Sequence, residues 1–499
     1  MVTSAPIPNT PLPTLDNLKA SVPDDLDAKA VTNAWFAAFA NSAESGDAQS
    51  AAALFVPDAF WRDFLALTWD FRTFSGAAKI TEFLNDCLGS VHPRAFVLRE
   101  DTYLGLQQPY PDLAWIHLMF DFETDVGIAS GIARIVPTAN GDWKAHTVFT
   151  NLEQLKGFPE KIGALRDYAP NHGKWVEDRK KEAEFADTQP TVLIVGGGQS
   201  GLAVAARLKA LDIKSLVVEK NARIGDNWRN RYDTLSLHNP VWYDHLPYLP
   251  FPSTWPVYAP SGKVRNNGAI LYVTMYQRSS TYIMTTKNGW KVFMGGLYSE
   301  DGPPTDIADR LSASFPIHMG IGLSQRKVKE TAELDKDLLD GLRSRGFLLN
   351  DGIHGTGFGL LSWSRYGGFY LDTGASSLIA DGKIKLKSGS AIKQFTERGL
   401  EFEDGTILDA DTVIFATGLG DSRSHVGKVC GEEVEKRLKP LWGLDAEGEI
   451  NGAWRDLGVK GIWSMLGNLA LSRFHSKHVA LQIKAIEEGV FGERYSLAA

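Results

Sequence analysis

Cysteine is nearly absent: Cys87 and Cys430 are the only two in 499 residues. They lie far apart in the chain, so no disulfide framework, CxxC redox pair or thiolate metal set is encoded. Such usage fits a reducing, cytoplasmic compartment, with both thiols expected as small buried hydrophobes. No apolar run approaches the roughly eighteen residues of a membrane-crossing helix. No basic cluster follows one face, and the net charge is −8, which gives nucleic acid no electrostatic hold. The N-terminal stretch MVTSAPIPNTPLPTLDN is proline-rich and lacks a basic-then-apolar signal pattern. The C-terminal SLAA matches no strong address signal. There is no Ser-His-Asp spacing, no paired-carboxylate signature and no metal-ligand pattern, and the eleven histidines are scattered.

What the chain does contain is concentrated in residues 191–219, TVLIVGGGQSGLAVAARLKALDIKSLVVE. Val192 to Val195 has the composition of a buried parallel strand. Gly196, Gly198 and Gly201 follow in GxGxxG spacing, then a helical stretch, then a β-branched run ending on Glu219. Each part has a mechanical role in holding an adenine dinucleotide. Gly196 permits the tight turn, Gly198 admits backbone to a pyrophosphate, and Gly201 lets helix and strand pack closely. The new helix points its N–H groups at the phosphates, and Glu219 is placed to accept from a ribose hydroxyl. The expected cradle therefore runs through Gly196, Gly197, Gly198, Gln199, Ser200 and Gly201.

The following stretch, EKNARIGDNWRNRYDTLSLHNPVWYDHLPYLPFP, resembles class B flavin-dependent monooxygenases: flavin-containing monooxygenases, plant YUCCA-type enzymes and Baeyer–Villiger enzymes. The YUCCA-like branch, and fungal relatives with an added N-terminal domain, resemble it most. The likeness resumes in QRSSTY (Gln277 to Tyr282), DTVIFATG (Asp411 to Gly418) and GNLALSRFHSK (Gly467 to Lys477), and covers most of residues 190 to 490. It implies FAD held additionally by Gly225, Trp228, His238, Thr417 and Gly418, with NADPH as reductant and Arg278 and Ser279 at its 2′-phosphate. It implies oxygenation of a small organic substrate by O2 through a C4a-(hydro)peroxyflavin. Gly461 to Met465 reads as a last strand, and Gly467-Asn468 opens a helix that the family lays over the isoalloxazine. Asn468 is the candidate for a polar contact at the reactive face, or the cap of that helix. His245 and His475 are weaker candidates in the same motifs.

One part of the family pattern is missing. Class B enzymes carry a second glycine turn for NADPH and an FxGxxxH signature. Phe74 and Phe293 each begin F-x-G, but Ile80 and Ser299 occupy the histidine position. Gly320-Ile321-Gly322 and Gly355-Thr356-Gly357 lack a preceding apolar strand and read as loops. The chain passes from TWPVYAPSGKV straight to RNNGAILYVTMYQRSSTY, a skip on the order of a hundred residues, comparable to a small domain. Natural shortening and lost coding sequence both account for it. A flavin oxidase, or an impaired flavoprotein that binds a ligand, are the competing functions; the absent CxxC disfavours a dithiol oxidoreductase.

The organisation expected is an α/β chain: a Rossmann-type FAD-binding fold with a reduced second dinucleotide-binding region, preceded by an α+β cone resembling the NTF2-like or SnoaL-like fold. Residues 1–26 read as a disordered tail and 27–155 as the cone, with Trp35, Phe36 and Phe39 facing its core and an Asn140-Gly141 hairpin. A charged linker spans 156–189. FAD-binding segments cover 190–261 and 416–499, and the NADPH-domain remnant covers 262–415. Asp63, Trp69, Asp70 and His117 are candidates to line a pocket in the cone, which also offers a face for a homodimer.

Overall fold

The computed structural model describes residues 5–8, 10–100, 104–186, 189–231, 235–259, 273–418 and 420–496. Tyr232-Asp233-Thr234 and the junction where the family pattern skips lie outside the described residues.

The N-terminal unit is a seven-stranded sheet with three helices laid on it. Strand order is 71–75, 55–64, 143–155, 127–137, 113–123, with 94–98 and 105–110 both paired to the last. Only the pair 55–64 with 143–155 is parallel. Antiparallel hairpins build the rest, including the turn at Gly141, whose φ of +84° suits the Asn-Gly step. Helices Ala28–Glu44 and Ala77–Val91 cover the concave face. Trp35 and Phe39 stack at 5.0 Å, and Phe39 meets Trp61, Phe96 and Phe120. Aromatic rings at helical spacing thus meet alternating strand residues, and this closes the α+β cone.

The C-terminal part is a mixed α/β body of short parallel pairs. Val192–Val195 pairs with Ser215–Val218, joined by helix Gln199–Ala210. Val273–Gln277 pairs with Ile384–Ser388, and Tyr282–Thr285 with Phe369–Asp372, flanked by helices such as Gly320–Leu334. A three-stranded antiparallel sheet covers 392–409. Gly320 and Gly322 therefore begin a helix, where the sequence reads as a loop.

Several expectations need correction. The described part of the tail is ordered: Leu12 is buried in the core, Leu15 N–H donates to Asp112 O, and Ala5 N–H to Leu444 O. The proline-rich composition allows an extended strap, and Leu12 supplies the apolar anchor that holds it down. Cys430 is exposed, although Cys87 is buried and its thiol is pushed up to about 12 by burial. Gly461 to Met465 forms no strand, only an isolated bridge from Ser464 to Ala453. Asp411 to Gly418 also lies outside any strand. Ile414 and Phe415 are 78% and 64% exposed, and so are Leu193 and Val195 at 60% and 61%. A Rossmann sheet buries both faces of its strands. Here the pair 192–195 and 215–218 stands as a two-stranded sheet, so the apolar residues that would cover one another stay in water.

One core crosses the boundary between the two halves. Leu208 of the helix after the glycine turn, Met319, Trp454 and Val479 belong to the same buried cluster as Phe64 and Phe149 of the cone. Charged pairs reinforce the seam. Arg62 makes two hydrogen bonds to Glu449 at 2.7 Å, Arg455 two to Asp70, and Arg326 two to Asp112. Glu153 joins Lys477 and Arg310. No described helix is long and apolar enough to cross a membrane.

Candidate functional site

The glycine turn is built as its residues require. Gly196 has φ +107°, a left-handed conformation that side chains resist. A Cβ on Gly201 would lie 2.0 Å from Gly196 O, so only glycine lets the helix start this close to the strand. Gly198 precedes helix Gln199–Ala210, whose first N–H groups have no side-chain cap. Uncapped donors backed by the helix dipole suit a diphosphate. Glu219 directly follows the second strand, Ser215–Val218. Its Oε2 accepts from Gly197 N–H at 2.7 Å, and its Oε1 accepts from the Asn221 backbone and side chain. Those bonds hold its carboxyl below the usual range and keep it ionised to accept from hydroxyls.

Beside this turn lies a cavity of about 250 Å³, lined by Gly197, Gln199, Gly225, Trp228, Trp255 and Leu469 among others. Four of the expected cofactor residues thus meet at one opening, together with the first residue of helix Leu469–Glu487. That helix packs against the one after the glycine turn, where Ser200 Oγ and Ser472 Oγ are 2.9 Å apart. Asn468 caps it: its Oδ1 accepts from Leu471 N–H, while its Nδ2 donates to Tyr243 Oη at 3.4 Å. The amide therefore caps the helix and makes a polar contact at the same time. These residues fit the dinucleotide half of a flavin cofactor.

Other expected residues lie elsewhere. His238 is exposed and lines neither cavity; its carbonyl accepts from Trp290 Nε1. Arg278 and Ser279 are exposed at the end of strand Val273–Gln277, the strand-end position expected for phosphate recognition. Thr417 and Gly418 are exposed outside any helix or strand. His245 is structural, with Nε2 on Thr305 Oγ1 at 3.0 Å. Within the cone, Asp63 is sealed by Thr150, Thr68 and two backbone N–H groups, and burial pushes it up to about 6. Asp70 is paired to Arg455, and Trp69 packs on Phe491. His117 is buried. None of these four lines either cavity.

A second cavity of about 240 Å³ also borders the start of helix Leu469–Glu487, at Ala470 and Leu471. The cone supplies Arg62, Phe64 and Phe71, and the opposite wall includes Tyr298, Phe315 and Trp363. Sequence reasoning missed these residues. Their only signal is an aromatic alternation that serves a core equally well. Among the described residues, no cluster of metal-ligating side chains occurs.

The family described as NAD(P)-binding Rossmann-like domain matches residues 194–254. Over 83 residues the chain is 43% identical to the indole-3-pyruvate monooxygenase YUCCA1 of Oryza sativa subsp. japonica, covering 16% of this chain and 20% of that protein. Over 312 residues it is 24% identical to the probable indole-3-pyruvate monooxygenase YUCCA4 of Arabidopsis thaliana, covering 46% of this chain and 75% of the relative. The chain thus spans a fifth of the first relative's length and three quarters of the second's. A ketosteroid isomerase-like protein from Erwinia carotovora overlays 25% of this chain and 96% of its own, at 14% identity and a TM-score of 0.20. The nuclear transport factor 2 of Cryptosporidium parvum overlays 28% and 97%, with a TM-score of 0.19. Part of this chain is thus similar to YUCCA-type indole-3-pyruvate monooxygenases, and residues 194–254 match a Rossmann-like NAD(P)-binding domain.

Proposed function

We propose that the protein is a FAD-dependent, NADPH-linked monooxygenase that oxygenates a small organic molecule with O2. The observation that carries this reading is the glycine turn opening onto the same cavity as Trp228 and the N-terminus of helix Leu469–Glu487. In this reading the uncapped helix after Gly198 binds the diphosphate and Glu219 takes the ribose. The second helix N-terminus, steadied by Asn468, faces the ring system and stabilises negative charge there. FAD, when bound, supplies the redox and oxygen chemistry. The protein positions the substrate and excludes water. The aromatic residues on the walls of the second cavity, Phe64, Phe71, Phe315 and Trp454, suit that task. Arg278 is the contact for the NADPH 2′-phosphate, because a guanidinium at a strand end matches that dianion.

The test is the visible spectrum of purified protein, before and after anaerobic NADPH. A bound flavin that NADPH bleaches supports the full reading. A protein that neither carries flavin nor takes it up from added FAD refutes it. A second reading, an impaired flavoprotein that binds a ligand, is favoured by one specific observation. Among the described residues, the strands 192–195 and 215–218 pair only with each other, without the further sheet neighbours that normally stiffen a dinucleotide fold. It expects flavin uptake without NADPH reduction.

A further inference from the structure

We propose that the cavity between the cone and the C-terminal body binds a flat, uncharged aromatic molecule carrying one hydrogen-bonding group, anchored on the imidazole of His475. The proposal deepens the oxygenation reading and rests on it only for the fate of the ligand; occupancy needs neither flavin nor reductant.

Three observations carry it. The first is shape and surface. Phe64 and Phe71 from the cone, Phe315 and Trp363 opposite, and Trp454 and Phe474 beside the helix enclose the space with ring faces and edges. Aromatic walls favour stacked or edge-on rings in a ligand. The second is charge. The ionised groups on the wall are already matched. Arg62 is held by Glu449 in a two-bond pair, and Asp309 by Arg473 at 2.9 and 2.7 Å. An anionic or cationic ligand would shed its hydration and find no free counter-charge, a cost that a neutral ring avoids.

The third is an unsatisfied polar group. His475 is 6% exposed, lies against Trp454 at 3.9 Å with ring planes 7° apart, and meets Phe64 and Phe71 with tilted rings at 5.9 and 5.5 Å. Its Nδ1 is buried without a hydrogen-bond partner. Burial holds the ring well below its usual pKa, so it is neutral and offers one donor and one acceptor. Buried polar side chains almost always have partners. His475 lines the cavity, so a ligand there can reach the ring and supply a hydrogen-bonding partner. The neighbouring His478 shares an unpartnered Nδ1, but its Nε2 is bonded to Asn151 Oδ1 at 2.7 Å and it does not line the cavity. The cone supplies one wall of this chamber, so the N-terminal unit takes part in ligand selection.

The experiment is isothermal calorimetry of the full chain with three probes: 2-naphthol, 2-naphthoate and naphthalene. 2-Naphthol is expected to bind at least tenfold more tightly than 2-naphthoate. His475→Phe keeps a ring on Trp454 but removes the hydrogen bond. It should weaken 2-naphthol by about two- to tenfold and leave naphthalene unchanged. Ser324→Phe, at a half-buried wall position, should fill the space and abolish binding of both neutral probes without shifting the melting temperature. That variant decides the matter should His475→Phe fail to fold. The proposal is overturned if 2-naphthol fails to bind, if 2-naphthoate binds equally well, or if Ser324→Phe leaves affinity intact. Binding of 2-naphthol by a protein that takes up no FAD would leave the chamber standing and refute the oxygenase reading instead. FAD uptake without 2-naphthol binding would do the reverse.

Discussion

Adding one methyl group at Gly201 tests the proposed flavin site directly. A Cβ there would stand 2.0 Å from Gly196 O, whereas real Cβ contacts do not fall below 3.0 Å. The difference, 3.0 less 2.0, means that helix Gln199–Ala210 must retreat by at least 1 Å from the turn. An N–H···O contact near 2.9 Å would then open to about 3.9 Å, beyond hydrogen-bonding distance. Losing two charge-assisted bonds to a diphosphate costs about 3–6 kcal/mol, or roughly two to four powers of ten in affinity. Gly201→Ala should therefore be isolated without flavin and should bind added FAD at least a hundredfold more weakly. Gly198→Ala separates ligand approach from packing. Its new Cβ would meet nothing closer than Asn227 Nδ2 at 3.4 Å, so the fold should be intact while the pyrophosphate is pushed away. Flavin content from absorbance at constant protein concentration, FAD titration by fluorescence quenching, and circular dichroism melting check each part. If Gly201→Ala retains FAD at wild-type affinity, the geometric argument is wrong.

Further consequences are open to measurement. Burial would raise Glu153, but Lys477 and Arg310 outweigh it and hold its carboxyl far below the usual range; Arg455 does the same for Asp70. Unfolded carboxylates take up their protons near pH 4, and these two only at lower pH. The stability they lend the seam between the halves is therefore present above about pH 4 and lost as pH falls through their folded values. Asp63 acts in the opposite sense: its contribution is present below the unfolded pKa and lost as pH rises through about 6. Urea melts from pH 3 to 7 should show a steep acid loss that Glu153→Gln flattens; an unchanged slope in that variant would refute the assignment. Arg455→Leu should cost about 3–5 kcal/mol by leaving Asp70 buried without its partner. Asp70→Asn on that background should recover part of the loss, and additive effects in the double variant would contradict the pairing. NADPH reduction of the proposed flavin should be slow, because in that reading Arg278 meets the 2′-phosphate without a second glycine turn to place the nicotinamide, and placement supplies much of the rate. Slow bleaching is the expected result, and rapid stoichiometric bleaching by micromolar NADPH in anaerobic stopped flow would show that reasoning wrong.

The glycine turn, the strand and helix around it, Glu219 and the capped helix after Asn468 were legible in the sequence because each depends on neighbours within about twenty residues. Glycine spacing, apolar runs and an N-cap are local instructions. The cone's aromatic helix face and Asn-Gly hairpin were legible for the same reason. DTVIFATG has the β-branched composition of a strand but forms none, because such a run becomes a strand only when a sheet has a place for it. With its neighbours missing, Ile414 and Phe415 stay exposed. The tail misled in the opposite direction, since one leucine at position 12 outweighs a disorder-prone composition once a core lies beneath it. Only the tertiary structure decided that the cone and the nucleotide-binding body share a core, and that Arg62 reaches Glu449 across 387 residues of sequence. It alone brought Phe64, Phe315 and His475 around one chamber. Such contacts follow from shape and charge matching between distant surfaces, and no local pattern in the chain encodes them.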